Sequence, residues 1–196
     1  MKDSKSRQPF LKKHWSNILF FGVVVLFIIP GSRMIIQSQL ASLFSSAPTI
    51  LEDSKREQLA NYNLVLKDLQ GQSLNLNQSQ NKPILINFWA TWCAPCLAEL
   101  PELNALYQKY KDEVDFYFIS QETPDILKTF LSAKAYNLPV YTQVSKAPPP
   151  LNTNTLPSTY LINSHGKIVA LAQKSAKWNN EEIQILIEGM SFFRKY

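Results

Sequence analysis

The stretch NFWATWCAPC, residues 87–96, holds both cysteines of a 196-residue chain, and its surroundings decide the fold. Just upstream, Pro83 to Trp89 (PILINFW) is a near-continuous apolar run, the mark of a strand covered on both faces. Downstream, Leu97, Leu100, Leu103, Leu106 and Tyr107 recur at helical spacing, which predicts a helix from Pro95 to about Lys111. Pro101 lies inside that run and is expected to kink it. Cys93 therefore falls where a buried strand ends and a helix begins. The N–H groups and macrodipole of a helix N-terminus favour thiolate over thiol, which lowers the pKa of a cysteine placed there. Cys96 follows about one turn later, near enough to close a disulfide with Cys93. Pro95 is tolerated between them because first-turn N–H groups have no partner within the helix. In this reading Cys93 attacks a partner's disulfide and Cys96 resolves the mixed disulfide that results.

Two plainer roles for the pair are weaker. A structural disulfide across three residues closes a very small loop and removes little entropy from the unfolded chain. A zinc site needs two more ligands, and the only histidines are His14, expected in a cytoplasmic tail, and His165, expected in a turn. No metal site is expected.

Outward from this centre the pattern is mixed. Leu64, Leu66 and Leu69 alternate with polar residues, Gln70-Gly71 turns, and Leu74 and Leu76 alternate again, which predicts a hairpin. Val114–Ser120 reads as a second buried strand, Thr123-Pro124-Asp125 as the start of a helix to about Ala135, and Val140–Val144 as a short strand. KAPPP, residues 146–150, is a stiff loop. Ser158–Asn163 and Lys167–Gln173 read as a hairpin across Ser164-His165-Gly166, and Asn179–Phe193 as a closing helix. The sum is a single α/β layered domain.

The N-terminus has a separate character. Residues 1–15 carry Lys2, Lys5, Arg7, Lys12 and Lys13 against Asp3, while from Gln37 onward 14 basic and 14 acidic residues balance. The formal charge of +5 thus belongs to the N-terminal region, and the domain offers no electrostatic case for nucleic acid. Ile18 to Ile29 lacks polar side chains, and the 20 residues from Asn17 to Ile36 match the thickness of a bilayer core. Lysines before the span and a near-neutral flank after it place the N-terminus in the cytoplasm and the domain outside. A cleaved signal peptide is the rival, but Ser45-Ser46-Ala47 lies late for a cleavage site. The expected division is a basic cytoplasmic tail at 1–16, a single transmembrane anchor at 17–36, a linker at 37–61 and a domain at 62–196.

ILINFWATWCAPC resembles the active-site strand and turn of the thioredoxin family, and WCAPCLAELPEL is similar to its membrane-anchored TlpA/ResA-like branch. The resemblance spans roughly residues 62 to 190 and takes in LPSTYLINSHGKIV, similar to the family's cis-proline strand. It implies a thioredoxin-like sandwich: a central mixed sheet, helices on both faces, an N-terminal hairpin and one preceding transmembrane helix. It also implies an extracytoplasmic thiol–disulfide oxidoreductase in the periplasm or its equivalent. Such a protein, working without a cofactor, reduces disulfide-bearing protein partners, for example in cytochrome c maturation. A membrane thiol–disulfide electron donor would restore its reduced state. The resemblance makes Leu156–Pro157 cis and sets Pro157 against Cys93, leaving the Leu156 backbone free to pair with a substrate strand. Trp92 is the tryptophan expected to frame the site, and Trp89 is expected in the core.

Where thioredoxins carry a buried Asp this chain has Asn87, which cannot transfer a proton, and where family members often have Gly it has Asn154. The branch's Glu three residues after the second Cys is present as Glu99. One turn beyond Cys96 and between Leu97 and Leu100, its carboxylate is expected to be desolvated, raised in pKa and able to accept the Cys96 proton. Glu102 is expected to turn outward. The rival reading of Glu99 is an ordinary acid favoured by the helix dipole. Two other functions remain open: a copper metallochaperone using both thiols and His165, and a thiol peroxidase, for which the Thr-x-x-Cys context is missing.

Overall fold

Ile84–Phe88, the apolar run before Cys93, is buried at all five positions and forms the central strand β4 of the numbering used below. The structure, a computed structural model, describes residues 15–22, 24 and 30–192. In chain order these give α1 (Pro30–Leu43), β1 (Thr49–Ile50), β2 (Val65–Asp68), β3 (Ser73–Asn75), β4 and α2 (Ala94–Tyr110). Then come β5 (Asp115–Ser120), α3 (Pro124–Lys134), β6 (Val140–Gln143), β7 (Ser158–Ile162), β8 (Ile168–Ala172) and α4 (Glu181–Phe192). The strands form one eight-stranded sheet ordered β1-β8-β7-β4-β5-β6-β2-β3. It is mixed: β4, β5 and β6 are parallel neighbours, and the other pairings are antiparallel. The expected hairpin is β2–β3, with Gly71 supplying the positive φ of its turn.

The pleat sorts the core into two layers. Leu85, Phe116, Phe118 and Leu161 face one side, where they meet Leu100, Leu103 and Leu106 of α2, Leu127 and Leu131 of α3, and Ile183 and Ile187 of α4. Ile84, Ile86, Tyr117, Ile119, Tyr160 and Ile162 face the other. No residue of α2, α3 or α4 joins that second cluster; Leu59, Leu64, Leu76, Ala147 and Leu151 cover it instead. The expectation of helices on both faces is therefore corrected. The physical reason is the pair of parallel crossovers, β4-α2-β5 and β5-α3-β6, which advance in one direction along the sheet. Right-handed crossovers made that way leave both helices on one face.

Two further expectations change. Residues 37–61 are not a free linker. Leu51 N–H donates to Val169 O (2.8 Å), Leu59 N–H to Gly166 O (3.0 Å), and Ile168 N–H to Glu57 O (2.9 Å), so this segment lines the β8 edge. β1 is part of that seam. The expected kink does not divide α2, which runs on through Pro101. Glu102 does not turn away: half-buried, it accepts the Asn179 N–H at 3.3 Å. The expected anchor at 17–36 falls partly outside the described residues, as does nearly all of the basic tail at 1–16, His14 included. Among the described residues no helix is long and apolar enough to cross a membrane.

The turn between β7 and β8 ties the 57–62 segment to the sheet. Gly166 has φ +77°, and a Cβ there would lie 2.6 Å from the Tyr62 hydroxyl and 2.7 Å from Gln58 Nε2. Gly166→Ala is expected to cost more than the ~1 kcal/mol of a left-handed alanine alone, because those contacts must also open. Urea unfolding of the two proteins checks this; equal midpoints would show that the seam is loose.

Candidate active site

The Cys93–Cys96 pair forms a disulfide, with Cα atoms 5.2 Å apart. Cys93 is the N-cap of α2, and its sulfur accepts the Cys96 N–H at 3.2 Å. That bond comes from one of the N–H groups a helix start leaves without a backbone partner, and it would favour negative charge on Cys93 sulfur once the disulfide opens. The two sulfurs differ in access. Cys93 lines an open cavity of about 840 Å³, while Cys96 is fully buried and takes no part in its wall.

The wall brings together residues from five parts of the chain. Trp92, Ala94 and Pro95 flank Cys93, and Leu156 stands opposite with Thr153 and Asn154. Trp92 is 66% exposed at the cavity mouth. Trp89 is buried against Phe130, their ring centres 5.4 Å apart, in keeping with a core role, although one edge reaches the cavity. The Leu156–Pro157 peptide is cis, as the resemblance implied, and Pro157 is buried at the start of β7. Pro149–Pro150, in the KAPPP loop, is also cis. That loop does not border the cavity; its own Ala147 and the following Leu151 are buried in the second core layer.

Behind the disulfide lies Glu99. The register pairs Asn87 of β4 directly with Thr159 of β7. Both share the parity of Leu85 and Leu161, so both point to the helical face, where α2 brings Glu99 down on them. Asn87 Nδ2 donates to Glu99 Oε1 at 2.7 Å and to Thr159 Oγ1 at 2.7 Å, and Thr159 Oγ1 donates to the same Glu99 oxygen at 3.0 Å. Glu99 Oε2 accepts the Ala176 N–H at 3.3 Å. The Trp178 indole N–H lies near this carboxylate but outside hydrogen-bond geometry and without another acceptor. Glu99 is 1% exposed. Loss of water outweighs the stabilising hydrogen bonds from Thr159, Ala176 and Asn87 and pushes its pKa up to about 8. This is not the environment of a solvated helix-start acid.

Sequence reasoning missed a second carboxylate. Glu122 follows β5, lines the cavity and grips the turn before Cys93: Thr91 N–H donates to it at 2.7 Å and Thr91 Oγ1 at 2.6 Å. The only trace in the sequence is an acid placed just beyond a buried strand. His165 sits in the β7–β8 turn, beyond Ile162, whereas Cys93 follows Phe88; since Ile84 pairs with Ile162 and Phe88 with Ser158, the two residues are at opposite ends of the sheet. A strand of that length separates them by about 15 Å, so His165 does not complete a copper site with the thiols. Among the described residues no three of His, Cys, Asp or Glu gather as metal ligands.

A carboxyl whose folded pKa is raised binds more protons when folded than when unfolded between its two pKa values. Its contribution to stability is therefore full below about 4.5, declines as pH rises, and is lost through about 8. Glu99→Gln is expected to flatten that slope. Urea midpoints of the oxidised protein between pH 5 and pH 9 check it; parallel slopes in wild type and variant would contradict the assignment.

The chain has relatives. Residues 56–171 match the AhpC/TSA family. The chain is 31% identical over 160 residues to the thiol-disulfide oxidoreductase ResA of Bacillus anthracis, covering 78% of this chain and 86% of that protein. With ResA of Bacillus subtilis (strain 168) it shares 29% identity over 147 residues, covering 74% and 82%. In fold it is similar to a DsbF homologue from Corynebacterium diphtheriae, with a TM-score of 0.57 at 18% identity and coverage of 74% and 92%. A secreted thiol-disulfide isomerase from Corynebacterium glutamicum gives a TM-score of 0.56 at 15% identity, covering 78% and 95%. With its redox turn, its cis-proline strand and this kinship in view, the chain belongs to the AhpC/TSA family of thioredoxin-fold proteins, as a thiol–disulfide oxidoreductase of the ResA type.

Proposed function

We propose that this chain is a membrane-anchored reductant of protein disulfides outside the cytoplasm, as in the reduction of apoprotein disulfides during cytochrome c maturation. The observation that carries this reading is the asymmetry of the two sulfurs: Cys93 opens on the cavity, Cys96 is sealed behind it, and Glu99 lies one helical turn further in. In the reduced protein, Cys93 thiolate attacks a partner's disulfide and joins one partner sulfur, while the other leaves as a thiolate that takes a proton from water. Cys96 then gives its proton to Glu99 and attacks Cys93 sulfur, expelling the second partner sulfur as a thiolate, which is also protonated from water, and re-forming the Cys93–Cys96 bond. Two electrons pass to the partner, and a membrane thiol–disulfide donor returns them. Leu156 and Trp92 on the cavity rim meet the substrate chain, with the cis bond to Pro157 setting the Leu156 backbone toward it.

A carboxylate with its pKa near 8 suits this proton transfer, because it gains and loses protons near neutral pH. The topology of this reading keeps the basic tail inside, takes an apolar span leading into α1 across, and sets the domain outside together with the parts of 30–61 that pack on it. Protease added to intact spheroplasts is expected to digest the domain; full protection overturns the topology.

Cys96→Ser is expected to accumulate mixed disulfides through Cys93, seen as adducts that disappear on reduction. Adducts with Cys93→Ser alone would reverse the roles. The direction of electron flow is read from the reduction potential. A value near ~−270 mV fits a reductant, and one near ~−120 mV would make the protein an oxidant.

A further inference from the structure

Helix α1 leaves much of its apolar character on the outside. A surface helix of a soluble domain turns its apolar stripe to the core. Here the half-buried positions are Met34, Ile36, Ser38, Ala41 and Ser42, with Ser45 just beyond the helix, and α1 packs against α2. Its hydroxyls bond back to their own helix, Ser38 to Ile35 O at 2.9 Å, Ser42 to Gln39 O at 2.7 Å and Ser45 to Ala41 O at 2.8 Å. Ser45 also reaches Ser175 Oγ at 2.7 Å. The seam mixes these small, self-satisfied residues with Met34 and Ile35, which line a cavity with Leu97 and Leu100 of α2. The large apolar side chains point the other way: Leu40 is 49% exposed, Leu43 75% and Phe44 85%.

We infer that this outer face of α1 docks on the lipid bilayer and holds the redox cavity at the membrane surface. The inference rests on the anchored reading above and deepens it. Three observations select lipid as the occupant. First, α1 continues directly from the apolar run at 18–29, and in the 35 residues from Asn17 to Leu51 the only charged side chain is Arg33. Second, the described residues before it, Trp15, Ile18, Leu19, Phe20 and Phe21, are exposed and apolar too. Third, a partner protein read by charge has nothing to read here, whereas an interface that takes up apolar side chains needs none. The consequence for function is one of position. Gln37 of α1 lines the cavity beside Cys93, and the turn that bonds to Ser45 carries Ala176, whose N–H holds Glu99. Docking α1 therefore sets the mouth of the site beside the bilayer, where it favours disulfide partners that are themselves membrane-bound.

The test uses the full chain in phosphatidylcholine vesicles, with p-benzoylphenylalanine replacing Leu43, Phe44 or, as control, Glu113. Glu113 is exposed just past the far end of α2, roughly 20 Å along the helix axis from Leu100. Illumination is expected to give lipid adducts at 43 and 44, several-fold above 113 and unaffected by salt. Adducts to a second copy of the chain, or lipid labelling no greater than at 113, would overturn the inference. An alkaline carbonate wash tests anchoring separately. A chain that stays in the vesicles without lipid adducts defeats this inference alone. A chain that washes off yet labels lipid at 44 keeps this inference and defeats the anchored reading.

Discussion

Burying one carboxylate sets the terms for the rest of this structure. Glu99 lies under α2 with almost no access to water, on a platform made by a cross-strand pair, Asn87 and Thr159. An ionised carboxylate there loses several favourable contacts with water for a few fixed hydrogen bonds, and the balance shifts it toward its protonated form. Thioredoxins place their buried acid on the strand, at the position of Asn87. Here the strand offers an amide and the helix supplies the acid, and the two meet at 2.7 Å.

This arrangement depends on sheet register. A slip of one residue between β4 and β7 would put Asn87 and Thr159 on different faces and strand Glu99 against apolar side chains. The same strands carry the chemistry to the surface: β4 leads into Cys93, and β7 begins at the cis proline, so both walls of the cavity are fixed by one strand pairing. Glu122, from the end of β5, steadies the third side through Thr91. Neighbouring strands, about 4.8 Å apart, thus hold Cys93, Glu99 and Leu156 in fixed relation.

Much of this was legible in the chain, and the parts that were not share a cause. The run PILINFW announced a central strand because full burial leaves no polar alternation. The cysteines could be assigned because strand end, helix start and spacing all lie within ten residues. Glu99 could be singled out because its relation to Cys96 is one helical turn. Glu122 could not, since its grip on Thr91 spans 31 residues, and no local pattern marks it. Segment 37–61 read as a linker because its pairing with β8 uses backbone groups, which any composition supplies. The face taken by α3 was missed for a similar reason: amphipathicity says that a helix has an inner side, and topology decides which side of the sheet it covers.

The most direct test of the central claim is the titration of Glu99 itself, by carbon-13 NMR of a protein labelled at glutamate side-chain carboxyls, assigned by comparison with Glu99→Gln. A resonance that moves with a midpoint near 8, in the oxidised protein, is the predicted result. A midpoint near 4.5, the ordinary value, would contradict the account, because a carboxylate already ionised in mild acid is a poor acceptor for the Cys96 proton at neutral pH.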